Sequence, residues 1–419
     1  MTADLSLAMP LLTTADGRPL KSALVQAQAR AKRRAFWLVA PLLAFVVITF
    51  ILPIAQMLQR SVYHDGFSAS APLTSEWLLS TEAGAVPDEA AYAALAADFK
   101  TMKAERTAGM AGTRVNYTLP ETRSLFTATA RAADDLAPPY KAAFLALSPK
   151  WGDPGVWQAM RSSATPYTAD FYLIAADYER ADDGSLQKVP DNQRIYIYLF
   201  VKTAVLSALI TFVCLLLAFP VAHLLATLPM AQANLLMILV LLPFWTSLLV
   251  RTTSWIVLLQ GQGVVNETLL AVGLVADDSR LNMMYNQTGT IIVMTHILLP
   301  FMILPLYSVM RVIPPSYARA ARSLGATSWT TFRRIYLPQT LPGIGAGALL
   351  VFILAVGYYI TPALVGGADG QLISNLIDFH MDKSNWSLAA ALSAMLLAGV
   401  LVLYWLYDRL IGIDNLKLG

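Results

Sequence analysis

Six apolar stretches, near residues 36–58, 199–225, 233–258, 289–312, 341–363 and 387–410, constrain this chain more than any other feature. A helix crossing the roughly 30 Å hydrocarbon core of a bilayer needs about 20 such residues. Lipid offers no hydrogen bonds, so a crossing segment must satisfy its own backbone groups, and a helix does this within one stretch. The composition agrees: 56% of residues are hydrophobic and only 14% charged, against about 25% charged for a soluble domain. The expected fold class is therefore an all-α polytopic membrane protein with about six transmembrane helices. Pro41, Pro53, Pro220, Pro243, Pro300, Pro305 and Pro362 lie inside or at the ends of these stretches, so kinks are expected.

Lys and Arg near the spans set the orientation. Arg18, Lys21, Arg30, Lys32, Arg33 and Arg34 precede the first span and place the N-terminal tail, 1–35, in the cytoplasm. Six crossings return the C-terminal tail, 414–419, to the same side. The loop between spans four and five then falls inside, and it carries Arg311, Arg319, Arg322, Arg333 and Arg334. The loops near 259–288 and 364–386 fall outside, with Glu267, Asp277, Asp278, Asp369, Asp378 and Asp382 against only Arg280 and Lys383. An odd number of spans would have put an arginine cluster outside. The first span resembles a signal peptide in its basic flank, and small residues at 68–72 would suit cleavage. Its length and its 35-residue leader favour an uncleaved span.

Residues 59–195 form one long outer insert, Ala-rich and mixed in charge. Segment 88–109 reads as a surface helix, and 119–136 and 138–163 read as two further helical stretches broken at proline. The insert is expected to be a small, mostly helical extracytoplasmic domain. The remaining 196–413 makes a core of five spans. Cys214 is the single cysteine and excludes a disulfide within the chain. His64, His223, His296 and His380 lack metal-ligand spacing, so no metal site is expected. A net charge of +3 gives no reason to expect nucleic acid.

The stretch 316–338 is polar and basic between two spans. Arginine inside a bilayer costs roughly 2.5–3.5 kcal/mol, so this is not a span. Tyr317, Ala320, Ala321 and Leu324 share one helical face, with Arg319 and Arg322 beside it. Gly325 suits the left-handed residue that ends a helix, and Thr327 or Ser328 suits the cap that starts the next. Trp329, Phe332 and Tyr336 then line one face. Two readings stay open on this pattern: an interfacial amphipathic helix, or a hairpin whose small residues dock into a groove on another protein.

Arg319-Ala320-Ala321, then Gly325, then Ile335-Tyr336-Leu337-Pro338 resembles the "EAA…G…I-x-LP" motif of ABC importer permeases. Segments 242–266, 299–310, 343–367 and 371–393 are similar to spermidine/putrescine-type permeases, a likeness covering about 195–410 and the first span. The resemblance implies a bacterial inner-membrane subunit that passes a small solute from a periplasmic solute-binding protein to the cytoplasm by alternating access. It implies an ATP-binding cassette ATPase dimer and a second permease, homologous or identical, as partners within the lipid membrane. It also implies that Ala320, Ala321 and Gly325 form the docking surface, with Arg319 and Arg322 beside it, and that Ile335, Leu337 and Pro338 re-enter the membrane. Arg319 departs from the motif, which has glutamate there.

The chain has no G-x-x-x-x-G-K-[ST] loop, so no ATP or other cofactor is expected on it and hydrolysis falls to a separate subunit. Its spans hold no carboxylate except Asp408 at the very end of the sixth, which argues against a self-contained proton- or ion-coupled carrier. No nucleophile–base pair supports a membrane enzyme. Trp245, Arg251, Tyr358 and Tyr359 are candidates for the solute pathway, and Asn375 and Asp378 for the outer gate or for contact with the binding protein. Packing and interfacial roles compete for the aromatics. His296 reads as a helix-packing residue bonded to a neighbour. The expected solute is a polyamine or similar. An amino-acid derivative, an opine or a sugar is the alternative.

Overall fold

The computed structural model describes residues 20–82, 84–181 and 185–411; the tail assignments of Arg18 and of 414–419 lie outside the described residues. The chain divides into two compact units, Met1–Gln59 and Arg60–Gly419.

Within the first unit the helix starts at Leu20, so the basic residues 30–34 ride on a helix rather than on an irregular tail. It continues through a π-helical turn, Val47–Ile51, into Leu52–Arg60. Pro53 explains the turn. It has no N–H to donate to the Thr49 carbonyl, and the helix widens so that Leu52 N–H reaches back to the Val47 carbonyl. The apolar side chains stay exposed along this span, as lipid-facing or partner-facing surface would be (Leu38 is 83% exposed).

In the second unit the insert holds seven α-helices and three short 3-10 helices among the described residues, and a two-stranded antiparallel pair, Tyr178–Arg180 with Leu186–Lys188. The segment expected to be a surface helix is instead central. Glu89–Glu105 buries Tyr92, Leu95, Phe99 and Met102 on one face. Asp88 caps its start by accepting the Ala91 N–H at 2.9 Å, and Arg106 ends it in the left-handed region at φ 59°. Around it an aromatic core forms: Trp151 meets Phe99, Phe126 and Phe144 with ring centroids 5.3–5.6 Å apart. The Trp151 indole donates to Thr129 Oγ1 at 3.0 Å, and its carbonyl accepts from Tyr92 Oη and Trp157 Nε1, each at 2.8 Å. The polar atoms of Trp151 thus enter an apolar core with hydrogen-bond partners in place.

The insert is seated on the five-span core. Phe171 and Ala175 pack with Leu388, Ala391 and Leu392 of the sixth span, and Tyr117 Oη donates to the Ser384 carbonyl at 2.8 Å. Asp177, at the same junction, caps the second span, Tyr196–Thr227. Spans two, four (Gln287–Val312) and five (Leu337–Gly357) form the central packing around Cys214, Met302, Leu306 and Val351. Gly347 permits this close approach, because a Cβ there would lie 2.7 Å from Met302 Sδ.

Among the described residues five helices are long and apolar enough to cross a membrane, or six with one bent pair, Met230–Trp245 and Leu248–Ala271. Two spans therefore differ from expectation. The third is not one helix but two, meeting at 98°. Pro243 cannot continue the ladder, and Thr246 captures the Pro243 carbonyl with both its amide and its hydroxyl, which closes the turn. The fifth is not continuous over 341–363. Its helix ends at Gly357 and a short helix, Ile360–Val365, follows. Pro362 leaves the Tyr358 carbonyl without a helical donor, and Ser374 Oγ supplies one at 2.6 Å.

Candidate coupling site

The stretch 316–338 folds as its local signals require. Pro315 opens a helix ending at Ser323, since proline at the first turn loses no bond. Gly325 takes φ +86°, its N–H donates to the Arg322 carbonyl at 2.9 Å, and Ala326 N–H donates to the Ala321 carbonyl at 3.0 Å. These two bonds make a Schellman cap. Nothing lies within 4 Å of a Cβ built on Gly325, so its glycine serves conformation and not internal packing. Thr327 caps the next turn by accepting the Thr330 N–H at 3.2 Å. A π-helical turn, Phe332–Tyr336, then precedes Pro338, just as one precedes Pro53. Ile335 and Leu337 are half-buried there and Pro338 is exposed, at the entry to the fifth span.

The two faces of the Pro315–Ser323 helix differ. No residue on it is buried. Ala320 and Leu324 turn outward, and Leu324 is 89% exposed. Arg319 and Arg322 lie on the opposite side and line a cavity of about 810 Å³ between the hairpin and the ends of spans two and four. Ala321 lies between the two faces and is half-buried. The arginine at the motif's unusual position, itself exposed, thus borders a cavity on its own chain, and the small-residue face lies away from that cavity.

Trp329, Phe332 and Tyr336 stack in sequence, with centroids 5.7 and 6.2 Å apart, and Phe332 meets Phe219 edge-on at 5.9 Å. Tyr336 Oη is 2.9 Å from His223 Nδ1. Phe219 and His223 belong to span two, so a column of rings joins the hairpin to that span. Arg311, at the end of span four, donates to the Ala226 and Leu228 carbonyls at 2.8 and 3.1 Å. It satisfies the end of span two and complements the negative pole of that helix. Sequence reading missed His223, Phe219 and Arg311 as parts of this site, because their partners lie about a hundred residues away.

The candidate pathway residues are only partly brought together. The breaks in spans three and five converge: Thr252 and Thr361, both fully buried, have hydroxyls 3.5 Å apart. Arg251 stands one position earlier, half-buried, with Nε buried and unpartnered. It lies within electrostatic range of His296 and Tyr358. Trp255 Nε1 donates to His296 Nδ1 at 3.0 Å, so that imidazole carries any neutral-form proton on Nε2 and packs against a neighbouring helix as expected. Tyr359 joins through its carbonyl, which accepts Asn375 Nδ2 at 2.7 Å, while Asn375 Oδ1 caps its own helix through the Leu372 N–H at 3.0 Å. Asn375 is thus committed to holding the break. Asp378 is half-buried and makes no side-chain hydrogen bond among the described residues. Trp245 stands apart, 72% exposed. Discontinuous membrane helices expose free backbone groups and positions suited to a solute.

Among the described residues no group of His, Cys, Asp and Glu has the arrangement of a metal site.

Comparison with known proteins places this architecture. Residues 203–411 match the profile of the family described as binding-protein-dependent transport system inner membrane component. The chain is 34% identical over 258 residues to the spermidine/putrescine transport system permease protein PotB of Escherichia coli, spanning 59% of this chain and 93% of that protein. It is 31% identical over 225 residues to the inner membrane ABC transporter permease protein YdcU of the same species, spanning 51% of this chain and 71% of that protein. A chain in the crystal structure of a bacterial alginate ABC transporter, in complex with its pentasaccharide-bound periplasmic protein, superposes with a TM-score of 0.45 at 19% identity, over 54% of this chain and 82% of that one. The whole insert, 59–195, precedes the matched family region. Since nearly the whole of PotB aligns with it, this chain belongs to the family of binding-protein-dependent transport system inner membrane components.

Proposed function

We propose that this permease passes a polyamine from a periplasmic binding protein to the cytoplasm by alternating access, with both termini cytoplasmic. The observation that carries the substrate class is the 34% identity to PotB across 93% of that protein. As a permease of a binding-protein-dependent importer it is a transport subunit, and ATP is hydrolysed on a separate ATPase. The outward face of Ala320 and Leu324, with Ala321 at its edge, docks on that ATPase. Closure of the ATPase dimer moves the hairpin, and the ring column from Trp329 to His223 passes the motion to span two. Two permeases, this chain with a homologue or a second copy, enclose the pathway.

The pathway chemistry supports transient passage rather than tight binding. Around the breaks in spans three and five it offers Arg251, aromatic rings and hydroxyls, and Asp378 is the one carboxylate among the candidate residues, so a polycation meets a single acidic group rather than a deep well. Selection then falls to the binding protein. The test is uptake of radiolabelled spermidine into proteoliposomes holding this chain, its ATPase, its partner permease and its binding protein. ATP-dependent uptake that unlabelled putrescine competes away supports the reading. ATP-dependent uptake of another solute in place of spermidine would move the substrate class and leave the permease assignment intact. Uptake without ATP or the ATPase would contradict the mechanism.

A further inference from the structure

The cavity behind the hairpin has chemistry that coupling to an ATPase does not use. Arg311, Arg319 and Arg322 line it, together with His223, Ser328 and Tyr336, and no carboxylate does. Arg311 is committed to the carbonyls that end span two. Among the described residues Arg319 and Arg322 make no side-chain hydrogen bond or ion pair, although they lie three positions apart on one helical face. Two guanidiniums side by side repel each other, and they favour an anion that accepts several N–H bonds at once.

The cavity also lies where spans two and four leave the apolar region. Val312, the last residue of the fourth span, is 72% exposed, and the Tyr317 ring is half exposed nearby. An apolar rim beside a basic pocket at a membrane surface suits an acidic lipid. The docking face formed by Ala320 and Leu324 points away from the cavity, so docking need not fill it.

We propose that this cavity binds a phosphate-bearing anion held by Arg319 and Arg322, supplied by an acidic phospholipid headgroup or by free phosphate. The Arg319 departure from the family motif then has a job on its own chain. The proposal goes beyond the transport reading and stands whatever solute is carried.

The test uses the full assembly purified in neutral detergent. Native mass spectrometry reads retained lipid during titration with phosphatidylglycerol or phosphatidylcholine, and Tm is followed with inorganic phosphate. Phosphatidylglycerol should be retained over phosphatidylcholine. The Arg319→Gln/Arg322→Gln pair should weaken it about 25-fold, at roughly fivefold per arginine. The Arg333→Gln/Arg334→Gln pair removes the same charge from positions that are likewise exposed but lie outside the cavity lining, and should change it less than about threefold. Competition by inorganic phosphate identifies free phosphate as sufficient, and its failure to compete identifies the lipid; both support the site. Equal retention of the two lipids, equal loss in the two variant pairs, or lipid binding only after the ATPase is removed would each overturn it. If the Arg319/Arg322 variant does not assemble, the wild-type comparison of the two lipids decides alone.

Discussion

At the start of the second span, Asp177 accepts the Ile195 and Tyr196 N–H groups at 3.2 Å each and the Ile197 N–H at 2.8 Å. Three of the four donors that a helix start leaves open are satisfied by one carboxylate 18–20 residues upstream. Asp177→Ala should destabilise the protein by about 1–2 kcal/mol, and Asp177→Asn by less than half of that, read as unfolding of the detergent-solubilised chain. His64 allows a pH prediction. Burial, followed by the positive charge of Arg114, lowers its pKa below the ordinary 6.5. Arg114 keeps that charge at neutral pH, since burial brings it down only to about 10. The neutral imidazole accepts the Gly66 N–H on Nδ1 at 3.2 Å. With the folded-state value below the unfolded one, the unfolded chain binds more protons near and below pH 6.5. Stability is therefore complete above pH 6.5, falls as pH drops through it, and levels off below the folded-state value. Hydrogen-exchange protection around residues 60–70, taken relative to the intrinsic exchange rate at each pH, should fall from pH 7.5 to 5.5, and His64→Asn should flatten that dependence. Neither residue's role is legible in sequence, because the groups that define it come together only when the insert folds.

At the scale of elements, the hairpin is the part most open to sequence reading. Proline at its start, Gly325 at the turn and Thr327 at the next cap each act within three or four residues, and the structure forms every one of these local bonds. The ring column is the opposite case. Trp329, Phe332 and Tyr336 announce a face, but Phe219 and His223 complete it from 113 residues away. The breaks in spans three and five are half legible: Pro243 and Pro362 are plain to see, while the bonds from Thr246 and Ser374 that fix the bends depend on the folded chain. An edge-on aromatic pair contributes about 0.5–1.5 kcal/mol beyond its buried area. Phe332→Ala, which cuts the column at its centre, should therefore lower solute transported per ATP hydrolysed by about twofold to tenfold. ATPase and uptake rates measured on the same proteoliposomes check this. Equal proportional losses in both rates would show that the column stabilises the assembly without transmitting motion.

For the whole molecule, span two is the member that links both ends. Its 32 residues run about 48 Å, from the Asp177 cap under the insert to the Arg311 bonds and the His223–Tyr336 contact at the hairpin. The apolar stretches and the placement of arginines make the spans and the long insert legible. The aromatic core of the insert and its seat on span six are not, since no periodic pattern records which helix a buried tryptophan will meet. The central claim is that the outward face of the hairpin is the contact through which an ATPase drives the spans. Photo-crosslinking tests it most directly, with a benzoylphenylalanine placed at Leu324 in the assembled transporter and a second placed at Leu274, in the loop between spans three and four. The account predicts that position 324 crosslinks to the ATPase, with a yield that changes when ATP is bound, and that position 274 does not. Absence of any ATPase crosslink from 324 in an assembly that still transports would contradict it.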